Sequence, residues 1–378
     1  MAAESSSNRK LVHLSPMARA FTQFRLELLL ELQRNGFENV LVSEPDPVHS
    51  SQLQELGFKL EAVEFPSSPS LAMFRAIKNS RQLIRKADCV CLHQPMALLV
   101  GVIASLGTGK RVIYFTGGLK ANEGMSRGVR LATLICELIL LQRVALVLSV
   151  NREDDKLLRR FSVESHYVGP RGGSGIDTTR FHPSDVNRQA LRRELMIDEG
   201  RTIVGMVGRI EEEKGVFQVL DYFTQNPKLV ESCCLVLVGS GSEDSRLESI
   251  LEQLPDHLRG AIRFAGRQED VERWYPAFDV FILASKREGM PTSLLEAMSS
   301  GCVAMTTDVR GAREVIRHGE NGFIYDTVTD LCYDILSVAQ VARSETLVKN
   351  QGRATVVAEY SSAVLTPRTF EIVSAILP

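Results

Sequence analysis

Short apolar runs of strand length recur along the whole chain, each separated from the next by a longer segment, and this alternation constrains the fold more than any other feature. A first series lies near Lys10 to Leu14, Val40 to Ser43, Leu60 to Phe65, Cys89 to Leu92, Arg111 to Phe115, Ala145 to Ser149 and Ser165 to Val168. A second starts at Thr202 and continues through Leu235, Ile262, Val280, Val303 and Phe323. Strands apolar on both faces need helices above and below, which predicts an α/β protein of two Rossmann-like, doubly wound domains. The irregular Gly169 to Gly175 stretch and Arg180-Phe-His-Pro-Ser184 interrupt the pattern, so the boundary is expected at Pro183, giving domains 1–183 and 184–353.

The 378 residues suit two ordinary domains, and 44% hydrophobic with 24% charged residues is a soluble globular mix. The seven cysteines show no paired CxxC spacing, so buried reduced thiols are expected rather than disulfides or a metal centre. Met1-Ala-Ala-Glu-Ser-Ser-Ser is polar with no apolar core, which predicts no secretory signal and a cytoplasmic protein. The apolar region from Val129 to Val150 is broken by Arg130, Glu137, Gln142 and Arg143, costly at membrane depth, and reads as helix then strand.

Two loops carry the chemistry. In Glu288-Gly-Met-Pro-Thr-Ser-Leu-Leu-Glu296, Pro291 suits the first helical position, and Gly289, Met290, Thr292 and Ser293 leave backbone donors for an anion such as a diphosphate. Glu288 before the helix and Glu296 within it could accept hydroxyl hydrogens from two sugars. The preceding Asp279-Val-Phe-Ile-Leu-Ala reads as a buried strand running into this loop, and ligands bind at such strand ends. About eighty residues upstream, Thr202 to Gly208 is followed by Arg209-Ile-Glu-Glu-Glu-Lys214, whose two cations could reach a diphosphate. The plain alternatives are solvated carboxylates at a helix start and pairing of Arg209 and Lys214 with Glu211 to Glu213.

Other motifs are weaker. Gly107-Thr-Gly-Lys110 lacks the Ser/Thr of a P-loop and reads as a turn. There is no Asp-x-Asp triplet and no clustered histidine, so no metal is expected to hold a diphosphate.

Val207-Gly-Arg-Ile-Glu-Glu-Glu-Lys-Gly215, Leu235 to Gly241, Phe264-Ala-Gly-Arg267, the Glu288 to Glu296 motif and Gly311 to Phe323, in that order, resemble the retaining glycosyltransferases of the GT-B type, family 4. The resemblance implies two Rossmann-like domains facing a cleft, with residues 354–378 crossing back to the first. It implies Arg209, Lys214 and Glu288 as catalytic residues, and Gly208, Arg267, Gly289, Met290, Thr292, Ser293 and Glu296 as donor-binding residues. Glu288 would contact donor-sugar hydroxyls, Glu296 the ribose, and Arg267 would lie by the base. It further implies a nucleotide-sugar co-substrate, UDP-sugar favoured, no cofactor, and retention by front-face attack. On the acceptor side, His13, Arg25, His93, Thr116, Gly117 and Gly118 fall at or after strand ends, each with an ordinary role as a turn residue or satisfied histidine.

Two departures stand out: Thr116-Gly117-Gly118 replaces the His-before-Gly of many relatives, and Ser15 to Phe21 replaces a glycine-rich loop. That first loop, through Arg25, is closer to bacterial transferases extending lipid-linked oligosaccharides for capsule, O-antigen or protein glycosylation. A lipid-linked saccharide is therefore the expected acceptor, with a soluble small molecule as an alternative. A sugar-nucleotide epimerase and a catalytically silent glycan-binding or partner protein share the fold. No nucleic-acid partner is expected.

Charge is uneven: residues 1–180 hold 23 Lys and Arg against 17 Asp and Glu, a balance of +6, while the remainder carries −8. Arg75, Lys78, Arg81, Arg85 and Lys86 fall near one face of a predicted helix, with Leu71, Phe74, Ile77 and Ile84 expected on the other. That basic face suits either solvent or peripheral contact with an anionic membrane.

Overall fold

The computed structural model describes residues 9–66, 70–121, 125–344 and 346–377. The chain forms two compact units, Met1–Gly175 with Ser362–Pro378 and Ile176–Ser361. They divide at Gly175/Ile176 and Ser361/Ser362, where the sequence pattern had placed boundaries at 183/184 and 353/354.

The first unit holds β1 (Arg9–Met17), β2 (Phe37–Glu44), β3 (Lys59–Ala62), β4 (Cys89–His93), β5 (Arg111–Phe115), β6 (Leu146–Ser149) and β7 (Ser165–Tyr167), paired in the order β3-β2-β1-β4-β5-β6-β7. Every pairing is parallel. Alternate residues feed opposite cores: Val12, Val90, Leu92 and Val112 enter one, while Leu11, Cys89, Cys91 and Ile113 enter the other. The second of these cores is closed by Leu28 and Leu32 from the Leu26–Arg34 helix and by Val373 and Leu377 from the chain's end. The Ser362–Ser374 helix is thus part of the first unit, and burying each such aliphatic side chain contributes about 1.5–3 kcal/mol.

The second unit holds β8 (Thr202–Val207), β9 (Cys233–Val238), β10 (Ile262–Phe264), β11 (Val280–Leu283), β12 (Val303–Thr307) and β13 (Phe323–Tyr325), in the order β10-β9-β8-β11-β12-β13. These pairings too are parallel. The fully buried β9 and β11, and β8 buried up to Met206, explain the continuous apolar runs of the sequence. Ile176 N–H donates to the Tyr360 carbonyl at 2.8 Å, so the two ends of this unit lie side by side.

The helix over Leu71–Ile84 differs from its sequence reading. Leu71 and Phe74, expected on the packed side, are exposed beside Arg75 and Lys78, whereas Ile84 and the half-buried Ile77 pack inward as expected, joined by Ala76 and Ser80. Arg81 leaves the basic face: its guanidinium donates to the carbonyls of Ala104 (2.9 Å) and Leu106 (2.7 Å), neutralising orphan acceptors at the end of the Pro95–Ser105 helix. No helix among the described residues is long and apolar enough to cross a membrane.

Candidate functional site

In the second unit the strand order reverses between β8 and β11, and ligands of open parallel sheets bind beyond the carboxyl ends of strands at such a reversal. The loops that leave these two strands are tied together. Lys214 Nζ lies 2.5 Å from Glu288 Oε1, and that oxygen also accepts from the Ser285 hydroxyl at 2.8 Å. Lys286 N–H donates to the Glu213 carbonyl at 2.8 Å, Arg287 pairs with the Glu213 carboxylate, and Lys286 Nζ stands 3.6 Å from Glu212. Lys214 and Glu288, far apart in sequence, are therefore brought together, while Arg209 pairs with Glu211 at 2.7 Å and Arg267 with Glu269 at 2.8 Å. The pairing weighed for Arg209 as its plain role is thus the one present.

Pro291 stands one place earlier than the sequence suggested, as the cap of the Thr292–Ser299 helix with φ −78° and ψ 94°. Its extended backbone, rather than a first helical turn, leads in, and with no side chain to cap it leaves the first-turn amides of Thr292 and Ser293 as the end's donors. Gly311 backs this loop: a Cβ there would lie 2.6 Å from the Gly289 carbonyl oxygen.

Glu296 is buried, and its Oε2 accepts from the Tyr275 hydroxyl at 2.7 Å. Tyr275 escaped sequence reasoning. The available signal was only general, that a tyrosine in an apolar setting needs a partner for its hydroxyl. Gly311 opens the Gly311 to Phe323 motif and Ser285 lies between the strand and the Glu288 loop, and the sequence gives neither a role. Among the described residues, no group of three or more His, Cys, Asp or Glu is placed to hold a metal ion.

In the first unit, the residues proposed for the acceptor include a buried chain. Arg25 Nε donates to His93 Nδ1 at 3.2 Å, which makes that nitrogen an acceptor and puts the His93 proton on Nε2. His93 Nε2 then donates to His13 Nδ1 (3.2 Å), and His13 Nε2 donates to Asn39 Oδ1 (3.0 Å). His93 stacks on Phe115 with ring centroids 4.7 Å apart. Arg25 also donates to the carbonyls of Phe24, at 2.9 Å, and Arg171. Thr116, at the end of the next strand, accepts from Gly118 N–H at 2.8 Å, closing the turn around Gly117. His13 and His93 are thus interior members of a directed hydrogen-bond chain.

Burial pushes the His13 imidazole down to about 4, with the nearby Arg25 charge acting the same way, and holds His93 well below its ordinary value. Unfolded histidines take up protons near pH 6.5 while the folded ones resist, so the stability of the neutral chain is complete above that pH. It is lost as pH falls from about 6.5 toward 4, and His13 alone should cost ~2 kcal/mol by about pH 5. Calorimetry should show the first unit's transition several degrees lower at about pH 5 than at about pH 7.5, and a smaller drop in His13→Gln. Equal drops would remove the neutral chain from the account.

The sequence matches the model of the group 1 glycosyl transferases over residues 187–336 and that of the glycosyl transferase 4-like domain over residues 22–169. Together the two models take in most of the chain, which belongs to the glycosyl transferases they describe. It is 25% identical over 327 residues, 82% of this chain and 83% of the relative, to the N,N'-diacetylbacillosaminyl-diphospho-undecaprenol α-1,3-N-acetylgalactosaminyltransferase of Campylobacter jejuni. It is 26% identical over 275 residues, 71% of each chain, to the putative glycosyltransferase EpsD of Bacillus subtilis. The structure of Anabaena Alr3699/HepE in complex with UDP and glucose superposes with a TM-score of 0.81 at 18% identity, covering 98% of this chain and all of that one. The fold is that of the GT-B glycosyltransferases, and the activity class is glycosyl transfer.

Proposed function

We propose that this transferase moves a hexose or N-acetylhexosamine from a UDP-sugar to a hydroxyl of a lipid-linked saccharide in bacterial surface-polysaccharide or glycan assembly, with retention of configuration. The observation that carries the reading is the Lys214–Glu288 pair at the β8/β11 reversal, on the loop that leads to the buried Glu296 within the Thr292–Ser299 helix. UDP in the Anabaena structures and the lipid-linked substrate in the Campylobacter relative's name support donor and acceptor.

In this reading the diphosphate lies against Lys214, the first-turn amides of Thr292 and Ser293, and Arg209 turned from Glu211. Glu288 accepts from hydroxyls of the donor sugar and Glu296 from the ribose. As the anomeric C–O bond breaks, negative charge grows on the diphosphate, so fixed cations there stabilise the transition state more than the ground state. The leaving phosphate oxygen takes the proton of the acceptor hydroxyl as its oxygen bonds the anomeric carbon on the same face. The protein needs neither a nucleophile nor a metal. The first unit holds the acceptor, with Arg25 and the Thr116–Gly118 turn as contacts, and meets the anionic inner face of the cytoplasmic membrane.

The test is a thermal-shift titration against UDP, GDP, ADP and dTDP, each in EDTA and in magnesium. A ligand at 100 times its dissociation constant adds about 2.7 kcal/mol of stability. Stabilisation by UDP in EDTA, weakened in Glu296→Ala, is expected. Silence toward every nucleotide would overturn the donor assignment.

A further inference from the structure

The helix over Arg127–Leu141 is apolar on the side turned to solvent as well as on the side packed inward. Inward lie Leu134, Leu138 and Leu141 with Glu137, whose carboxylate accepts from the N–H groups of Lys120 (2.9 Å) and Ala121 (3.2 Å). Outward, Val129, Leu131, Ala132, Ile135, Cys136 and Ile139 are exposed, and at about 100° per residue they share one sector free of charged side chains. The four largest are between 48% and 62% exposed. A helix apolar all round is ordinarily covered.

What covers it is indicated by charge. Strands β4, β5 and β6 are laid down in one direction along the sheet, so right-handed crossovers place the helices before each of them on the same face. The Leu71–Ile84 and Arg127–Leu141 helices both pack on the Pro95–Ser105 helix between them. The first shows Leu71 and Phe74, 84% and 67% exposed, beside Arg75 and Lys78, and no acidic residue lies between 71 and 86. Arg127, Arg130 and Arg143 surround the second, whose one acidic residue, Glu137, is turned inward. A second copy of the chain would bring the same positive charge to this face, whereas an anionic bilayer complements it.

We propose that these two helices form a bilayer-docking face, with the uncharged side of the Arg127–Leu141 helix sunk into the boundary between headgroups and acyl chains. Leu71 and Phe74 enter beside it, and Arg75, Lys78 and Arg127 meet lipid phosphates. This deepens the membrane contact of the proposed function and rests on it only for its purpose, to bring the enzyme to a lipid-linked acceptor.

Cys136 lies on this face and the other six cysteines are buried, so the full chain can carry an environment-sensitive fluorophore there. The probe should move to an apolar environment with vesicles of equal phosphatidylcholine and phosphatidylglycerol, and much less with phosphatidylcholine alone. Unlabelled protein should sediment with the anionic vesicles, and Ile135→Asp/Ile139→Asp should lower that partition at least tenfold without changing the thermal midpoint or its shift by UDP. Equal partition of wild type and variant, or none by wild type, would overturn the proposal. So would a dimer in light scattering that the variant abolishes, since a second copy would then own the face. The vesicles contain no acceptor, so failure to transfer to a lipid-linked saccharide is a separate result.

Discussion

Replacing Lys214 by alanine is expected to lower kcat by about 10²- to 10³-fold, the scale of losing one preorganised group that meets developing charge. The substitution removes the ammonium from the loop after β8, whereas the helix amides and Arg209 remain, so binding of UDP should weaken far less than turnover. Stability should fall by about 1–3 kcal/mol, because the Lys214 and Glu288 side chains are only 22% and 16% exposed and the carboxylate loses its cation, while it keeps the Ser285 hydroxyl at 2.8 Å. Glu288→Gln makes the complementary case: it keeps the ammonium but lowers its restraint and removes a full acceptor from the donor sugar, and should raise KM for the UDP-sugar as well as lower kcat. Steady-state kinetics with a UDP titration followed by thermal shift separates the terms. Near-normal turnover in Lys214→Ala, with the fold intact, would take Lys214 out of the transition state.

The strands were legible because parallel strands covered on both faces must be apolar throughout, and runs such as Val280 to Leu283 have no other reading at that length. The pair at the β8/β11 reversal was half legible. Each loop announced itself by charges after an apolar run, yet nothing local says that Lys214 chooses Glu288 over Glu211 to Glu213; the sheet order decides it. Tyr275 lies 21 residues from Glu296 on a turn of no clear period, so its bond to that carboxylate was out of reach. For the histidines the sequence left two roles open. His13 and His93 sit near strand ends where ligand contacts are expected, but Arg25 and Asn39 satisfy both rings inside the unit. The Leu71–Ile84 helix misled at its first turn, because helical spacing does not say where a packed stripe gives way to solvent, and the small residues Ala76 and Ser80 join Ile77 and Ile84 on the buried side. The same structure gives Leu71 and Phe74 their meaning as surface residues.

Gly239→Ala should be the most damaging substitution of a small residue in the second unit. Gly239 follows β9 with φ +138°, and a Cβ built on it would lie 1.8 Å from the carbonyl oxygen of Gly208, the residue that follows β8. The contact is backbone against backbone, so no rotamer relieves it: either the β9 end or the Gly208 to Lys214 loop must shift. Gly208 N–H donates to the Val238 carbonyl at 3.0 Å and Gly239 N–H to the Gly266 carbonyl at 2.8 Å, so a shift also breaks the hydrogen bonds that hold three consecutive strand ends level. A cost of about 3 kcal/mol or more follows from strained backbone together with the lost hydrogen bonds between strand ends. Gly266→Ala is the control. Gly266 has φ +64°, but nothing stands within 4 Å of an added Cβ, so only the left-handed backbone penalty of about 1–2 kcal/mol applies. Thermal melts of the two variants should therefore differ, and Gly239→Ala should lose UDP binding at temperatures where it is still folded, because Arg209 and Lys214 ride on the displaced loop. If both variants melt alike and bind UDP alike, the Gly208–Gly239 approach does not set the position of that loop.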